Sequence, residues 1–287
     1  MFLPKKTLAK RISKFLQEDV GLGDITTALI PPDIIVEAEV IAKEDGTMAG
    51  IEESIAFLRS QDLQVKPLIS DGESIKKKAV ILRIVGNART LLTVERTLLN
   101  SLSRMSGIAT KTRCLVEKTR NAGYKTRIAC TRKVAPGLLY FDKKATMLGG
   151  GDTHRLHLDD MILIKDNHLA IIGDVSRAVK KARETVSFSK KIEIEVSSAD
   201  QALEAAKTGA DIIMLDNFSP HKIREALALL KKKGLRDKVL IEASGGINEQ
   251  NILEYAATGV DIVSLGEITD SVKALDISLE VTKVKEK

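Results

Sequence analysis

No tryptophan occurs among the 287 residues, and phenylalanine and tyrosine bring the aromatic share to only 3%. A chain so poor in stacking surfaces has little with which to grip single-stranded nucleic acid, and no nucleic-acid partner is expected. Cysteine is nearly absent as well. Cys114 and Cys130 stand too far apart for a zinc or redox motif, so both are expected as reduced packing residues. No apolar run approaches the ~18 residues of a membrane span, and the first residues lack the apolar core of a secretion signal. A cytoplasmic protein without membrane contact is the expectation.

What is present is ordinary for a folded chain: 44% hydrophobic and 29% charged residues. Lysine and arginine exceed aspartate and glutamate by 45 to 39, a net charge of +6. That balance suits anionic small molecules and nucleic acid alike and selects neither. The lysine triplets at 76–78 and 231–233 are too short for nucleic-acid arms and read as solvated surface.

Two stretches follow different patterns. From about 36 to 106, strands mix with helices without regular alternation. "VEAEVIAKEDGTMAG" alternates as a strand with a turn expected at Asp45-Gly46, and "IEESIAFLRS" repeats apolar residues at helical spacing. "LQVKPLISDGESI" and "AVILRIVG" return to strands, with a turn at Asp71-Gly72, and a long helix is predicted over 89–112. After about 110, short apolar strands alternate with amphipathic helices. The strands are "TRIACT", "MILIKDN", "KIEIEVS", "DIIMLDN", "VLIEASGG" and "DIVSLGE", with helices near 139–148, 173–186, 199–208, 219–233 and 248–257. Apolar strands separated by helices imply a parallel sheet buried on both faces. Polar residues at nearly every strand's C-terminal end favour closure into a barrel, whose rim carries the chemistry.

Those strand ends supply Arg132-Lys133, His154-Arg155, Lys165, Glu195, Asp216, Ser244-Gly245-Gly246 and Gly266. Singly, each has an ordinary reading: a surface pair, a satisfied histidine, a helix cap or an ion pair. Together on one rim, Arg132, Lys133, His154, Arg155 and Lys165 would repel one another unless an anion sits among them. "GGGDTHR" (149–155) reads either as a helix stop or as a loop holding something negative, since three glycines are costly inside a helix. "ASGGIN" follows a strand and precedes a helix expected near Asn248, so it is either a plain turn or a phosphate cradle of free N–H groups. Glu195 and Asp216 are then placed to hold ribose hydroxyls or Mg²⁺.

"GDITT", "ERTLLNSLSRMSGIAT", "TRKVAPGL", "GGGDTHR", "LIKDNH", "IEIEV", "LDNF" and "ASGGI" occur in this order. The set closely resembles quinolinate phosphoribosyltransferase, the carboxylating nicotinate-nucleotide pyrophosphorylase family, over nearly the whole chain. The resemblance implies an α/β protein with an N-terminal α+β open sandwich domain (1–108, joined by the C-terminal segment 269–287). A short-helix α/β barrel of six or seven parallel strands (109–268) would follow. It also implies a homodimer with a shared active site, itself able to build a hexamer. Quinolinate would be bound by Arg132, Lys133, His154, Arg155 and Lys165, with Arg96 from the partner. Phosphoribosyl pyrophosphate would be bound by Lys133, Glu195, Asp216, Ser244, Gly245, Gly246 and Gly266. Lys133, Glu195 and Asp216 would be catalytic, with Mg²⁺ at Glu195 and Asp216, directly or indirectly.

Two departures stand inside the motifs. Cys130 precedes "TRK" where the family usually has Asp or Ala, and Val134 follows it where the family usually has Thr. Leu139 follows "PGL" where Arg is frequent. They alter neighbours of the charged residues and leave those residues in place. The activity implied is phosphoribosyl transfer to quinolinate with loss of CO₂, giving nicotinate mononucleotide, a pentosyltransferase reaction. The alternatives are a paralogous enzyme using another pyridine carboxylate or base, and a barrel that binds without turnover. "IKDNH", with Lys165, argues against the paralogue found beside molybdenum transport genes.

Overall fold

A computed structural model describes residues 3–285. In chain order its first elements are α1 (Lys5–Val20), β1 (Ile35–Ala42), β2 (Gly46–Thr47), α2 (Ile51–Ser60), β3 (Gln64–Pro67), β4 (Ser74–Ile75), β5 (Val80–Asn87) and α3 (Ala88–Asn121). Then come β6 (Arg127–Cys130), α4 (Leu139–Leu148), β7 (Ile162–Ile164), α5 (Asp166–Ile172), α6 (Val175–Thr185), β8 (Ile192–Val196), α7 (Ala199–Thr208) and β9 (Ile212–Asp216). The last are α8 (Pro220–Lys232), β10 (Leu240–Ser244), α9 (Ile252–Ala256), β11 (Ile262–Leu265), α10 (Glu267–Asp270) and β12 (Ile277–Lys285).

The chain divides into two compact units. One comprises residues 1–111, 144–149 and 272–287, and the other 112–143 and 150–271. The second half of α4 goes with the first unit. Lys144 explains that assignment: its ammonium bonds Glu53 at 2.8 Å, and both side chains are buried. Glu52 accepts from the same ammonium.

In the first unit, β12, β1, β5 and β3 form an antiparallel sheet in that order. β1 buries Val36, Ala38, Val40 and Ala42 and leaves the residues between half-exposed, the alternation of a strand with one face on a core. β12 pairs with β1 from Ile35↔Lys285 to Ala42↔Ile277, which joins the C-terminal segment to this unit. Gly46 is no hairpin turn. It lies in β2, and a Cβ there would come within 2.6 Å of Leu275 and 2.8 Å of Thr110, so glycine serves close packing. Asp71-Gly72 is a turn, with Gly72 at φ +86°. Asp24 of "GDITT" accepts the Thr26 and Thr27 amides and the Thr93 hydroxyl, which holds its carboxyl below the usual range.

In the second unit the six strands pair in parallel in the order β6-β11-β10-β9-β8-β7. Beyond β6 the ladder continues through a bridge between Ala129 and Asp152, a seventh strand position reduced to one residue. His154, two residues on, reaches Glu193 of β8 and Glu242 of β10, so the sheet curls around a common interior. All six strands lie within the expected segments. The helices are cut by ordinary caps: Asp174, Ser198 and Ser219 accept amides of the first turns of α6, α7 and α8. α5 was not expected, and the helix after "ASGGIN" starts at Ile252, later than the expected Asn248. Asn248 is spent on a turn instead, accepting from the Gln250 and Asn251 amides.

Candidate active site

A cavity of about 620 Å³ opens at the C-terminal ends of the second unit's strands. Each wall follows from one strand end. After β6, Thr131 Oγ1 accepts the Lys133 amide at 3.1 Å and turns the chain so that Arg132 and Lys133 both line the cavity. After β7, Lys165 caps α5, its amide donating to His168 Nδ1 at 3.0 Å. This is the local task of the histidine in "IKDNH". Glu195 and Asp216 come from β8 and β9, and Ser244, Gly245, Gly246 and Gly266 from β10 and β11. Every expected site residue except Arg96 lines this one cavity. Arg96 is exposed on α3, in the other unit.

The glycines divide by purpose. Gly149 takes the last turn of α4 by donating to Ala145 O, and Gly150 has φ +87°, so the run in "GGGDTHR" ends a helix and the loop's chemistry is left to His154-Arg155. Gly245 is different. With φ +90°, its missing Cβ would lie 2.3 Å from Asn217 Oδ1. Asn217, itself left-handed at φ +55°, donates its amide nitrogen to Asp216 Oδ2 at 2.6 Å. Only glycine at 245 leaves room for the group that orients this carboxylate. At Gly266 a Cβ would come within 2.7 Å of Asp270 Oδ2 and 3.2 Å of the Lys133 side chain, so that glycine makes room for both.

Two charged groups expected on different substrates meet directly: Lys165 Nζ lies 2.8 Å from Glu195 Oε2. His154 differs from a free cation of the ring. Its Nε2 is 3.1 Å from Glu193 and 3.2 Å from Glu242, both fully buried. Its Nδ1 accepts the Arg155 amide at 2.8 Å. Burial would lower the imidazole pKa, but the adjacent carboxylates of Glu193 and Glu242 outweigh it and raise it. A proton on Nδ1 would face the Arg155 N–H, so the ring carries its proton on Nε2, towards the two carboxylates. Burial likewise raises Glu193. Arg155 is lowered by burial and by the like charge of Arg132, the signature of cations gathered without a counter-ion.

Glu193, Glu242 and Asn217 went unread in the sequence. Their signal was the strand period: Glu193 stands two before Glu195 and Glu242 two before Ser244, so each shares an inward face with a rim residue. Lys143, fully buried, was also missed. Its ammonium donates to Thr153 O, beside Cys130, and burial lowers its pKa.

Curled parallel strands with anion-binding groups at their C-terminal ends define a barrel-type enzyme acting on small anions. The family models for the N-terminal and C-terminal domains of quinolinate phosphoribosyl transferase match residues 24–106 and 108–280. The chain belongs to that family. It is 46% identical over 96% of its length to a protein of Methanothermobacter thermautotrophicus named probable nicotinate-nucleotide pyrophosphorylase [carboxylating], covering 99% of that protein. The human nicotinate-nucleotide pyrophosphorylase [carboxylating] is 36% identical, with 98% of this chain and 94% of the human one covered. The solved nicotinate-nucleotide pyrophosphorylase of Francisella tularensis superposes with a TM-score of 0.90, at 37% identity and 98% coverage of both chains.

Proposed function

We propose that the cavity joins quinolinate to the anomeric carbon of phosphoribosyl pyrophosphate and releases pyrophosphate and CO₂, leaving nicotinate mononucleotide. The observation that carries this is the make-up of one cavity: Arg132, Lys133, Arg155 and Lys165 beside two carboxylates and a glycine loop. Four cations suit a dicarboxylate and a pyrophosphate together, and an orthogonal role is left for the acids.

In this reading Arg132, Arg155 and Lys165 hold the two carboxylates and aim the ring nitrogen at C1′ of the sugar. The N–C1′ bond forms as the C1′–O bond breaks, its electron pair leaving with pyrophosphate. Lys133, backed by Gly266, takes up charge on the leaving group, while Glu195 and Asp216 favour the positive sugar centre. The ring nitrogen is then cationic. The bond to the adjacent carboxylate breaks, CO₂ leaves, and the pair remaining at C2 takes a proton from solvent. The loop from Ser244 to Gly246 receives the ribose 5-phosphate.

Glu195 and Asp216 each already engage one oxygen, with Lys165 and Asn217. Among the described residues they belong to no cluster of three close ligand atoms. That does not fit an all-protein cage, but it does fit Mg²⁺, which keeps waters and substrate phosphates and takes one or two carboxylates. Bound there, the ion would neutralise charge on the pyrophosphate.

A panel of pyridine carboxylates tests the reading. Quinolinate should exceed nicotinate in kcat/KM by at least 10-fold, since each cation left unpaired costs about 1–3 kcal/mol. Equal values would defeat it. A barrel that only binds predicts no turnover with any acid.

The proposal extends to a homodimer in which the partner supplies Arg96, supported by the exposure of Arg96 and its absence from the cavity wall. Arg96→Ala and Lys133→Ala should each be nearly inactive, and their mixed dimer should recover activity at one of two sites. No recovery in verified heterodimers refutes sharing. A cytoplasmic setting is part of the same proposal and suits two cysteines that form no disulfide. Among the described residues no helix is long and apolar enough to cross a membrane.

A further inference from the structure

Two carboxylates inside the second unit take no part in the chemistry above. Glu193 of β8 and Glu242 of β10 are both fully buried, and both Glu193 oxygens and Glu242 Oε1 lack a hydrogen-bond donor. Burial of such groups is costly unless something is gained. Their common neighbour is His154. The ring donates from Nε2 to Glu242 Oε2 at 3.2 Å, with Glu193 Oε2 beside it at 3.1 Å but off the hydrogen-bond axis. On the other side, Nδ1 accepts the backbone N–H of Arg155 at 2.8 Å. The His154 amide donates to Asp152 Oδ1 at 2.8 Å, and the residue sits at φ +51°, a conformation a non-glycine residue holds only when its surroundings enforce it.

We propose that Glu193 and Glu242 are positioning residues: they clamp the His154 ring from the interior, and the ring fixes the strained backbone that aims Arg155 into the cavity. With both nitrogens engaged, His154 acts through Arg155, which meets one carboxylate of the substrate. The carboxylate pair thereby sets selectivity for a pyridine bearing two adjacent carboxylates. Its negative charge also offsets the crowding of Arg155 against Arg132. The proposal rests on the reading that this wall takes quinolinate.

Full-length protein carrying Glu242→Gln or Glu242→Leu separates the roles. Glutamine keeps an acceptor of similar volume, so KM for quinolinate should stay within about threefold of wild type. Leucine removes the acceptor and should raise it at least 10-fold. KM for phosphoribosyl pyrophosphate should stay within about twofold in both. A leucine variant with unchanged quinolinate KM, or with both KM values raised together, overturns the proposal. Should the leucine variant not fold, ¹⁵N spectra of histidine-labelled wild type decide. The His154 signal, assigned by its loss in His154→Gln, should show a protonated Nε2 and an unprotonated Nδ1. The same spectra with added Zn²⁺ should be unchanged. An unprotonated Nε2, or a Zn²⁺-shifted His154 signal, overturns the clamp in favour of a metal site. Wild-type protein that does not turn over quinolinate removes the reading of the cavity and this proposal with it. A missing Nε2 proton in an enzyme that does turn it over removes this proposal alone.

Discussion

Lys143 and Lys144 are successive residues of α4, are 0% and 3% exposed, and meet opposite surroundings. In the first unit Lys144 finds Glu53 at 2.8 Å, Glu52, and Asp71 at 3.8 Å. Asp71 in turn receives the amides of Gly50 and Ile51 at the start of α2. Charge there is matched with charge. In the second unit Lys143 meets the carbonyl of Thr153 and the thiol of Cys130. Nearby, Glu193 and Glu242 crowd one imidazole, and Arg155 crowds Arg132. Buried charge in the first unit is spent on structure, whereas in the second like charges are left close together, as they are where a charged ligand is awaited.

The largest effect that could break this contrast lies in the first unit. Lys144→Met strips Glu53 of its ammonium, and removing one partner of a buried pair costs about 3–5 kcal/mol. Urea unfolding should show that loss, and adding Glu53→Leu should restore at least half of it, since a buried pair replaced by apolar groups is often neutral. A single variant within 1 kcal/mol of wild type would mean that the first unit's charges are not structural.

The converse should hold for the rim carboxylates. Glu195→Gln and Asp216→Asn keep volume and a hydrogen-bonding oxygen, so melting should move by no more than about 2 °C. Turnover should fall about 100-fold, the scale of losing one group that stabilises transition-state charge. Quinolinate affinity should be preserved, and in Glu195→Gln it should tighten slightly because Lys165 is released from its 2.8 Å ion pair. Lower melting with weaker binding of both substrates would instead assign these acids to the structural class.

How far this division was legible depends on what each feature required. The alternating strands and the six parallel strands carry their period openly: β6–β11 fall inside the predicted segments, and β1 starts one residue before its own. The rim cations and acids were legible because strand ends project them to one side. α1 was missed although Leu8 and Ile12 are buried at helical spacing, because four lysines and arginines crowd its first half. Gly46 was read as a turn because Asp-Gly usually is one, and close approach to Leu275 is a tertiary demand that no local signal carries. The clamp on His154 needs β8 and β10 to curl toward the loop after the Asp152 bridge. Only the assembled sheet brings those carboxylates together, and the sequence could at most show that they share an inward face.

The smallest effect returns to the twin lysines. Lys143→Met gives up one hydrogen bond to a carbonyl and should cost about 1 kcal/mol, well under the loss at Lys144. Its pH dependence has a definite sign. Burial lowers the Lys143 pKa below 10.5, so between the folded and unfolded values the unfolded chain binds more protons. Stability from this group is therefore depressed at low pH and rises as pH climbs through that window, by at most about 1.4 kcal/mol per unit. Subtracting urea midpoints of Lys143→Met from those of wild type at pH 7.5, 8.5 and 9.5 should give a difference that shifts in favour of wild type as pH rises. Lys144→Met, whose lysine is matched by carboxylates, should show no such rise. Parallel curves for wild type and Lys143→Met would mean that Lys143 is as well compensated as its neighbour, and the contrast between the two units would then rest on the carboxylate pair alone.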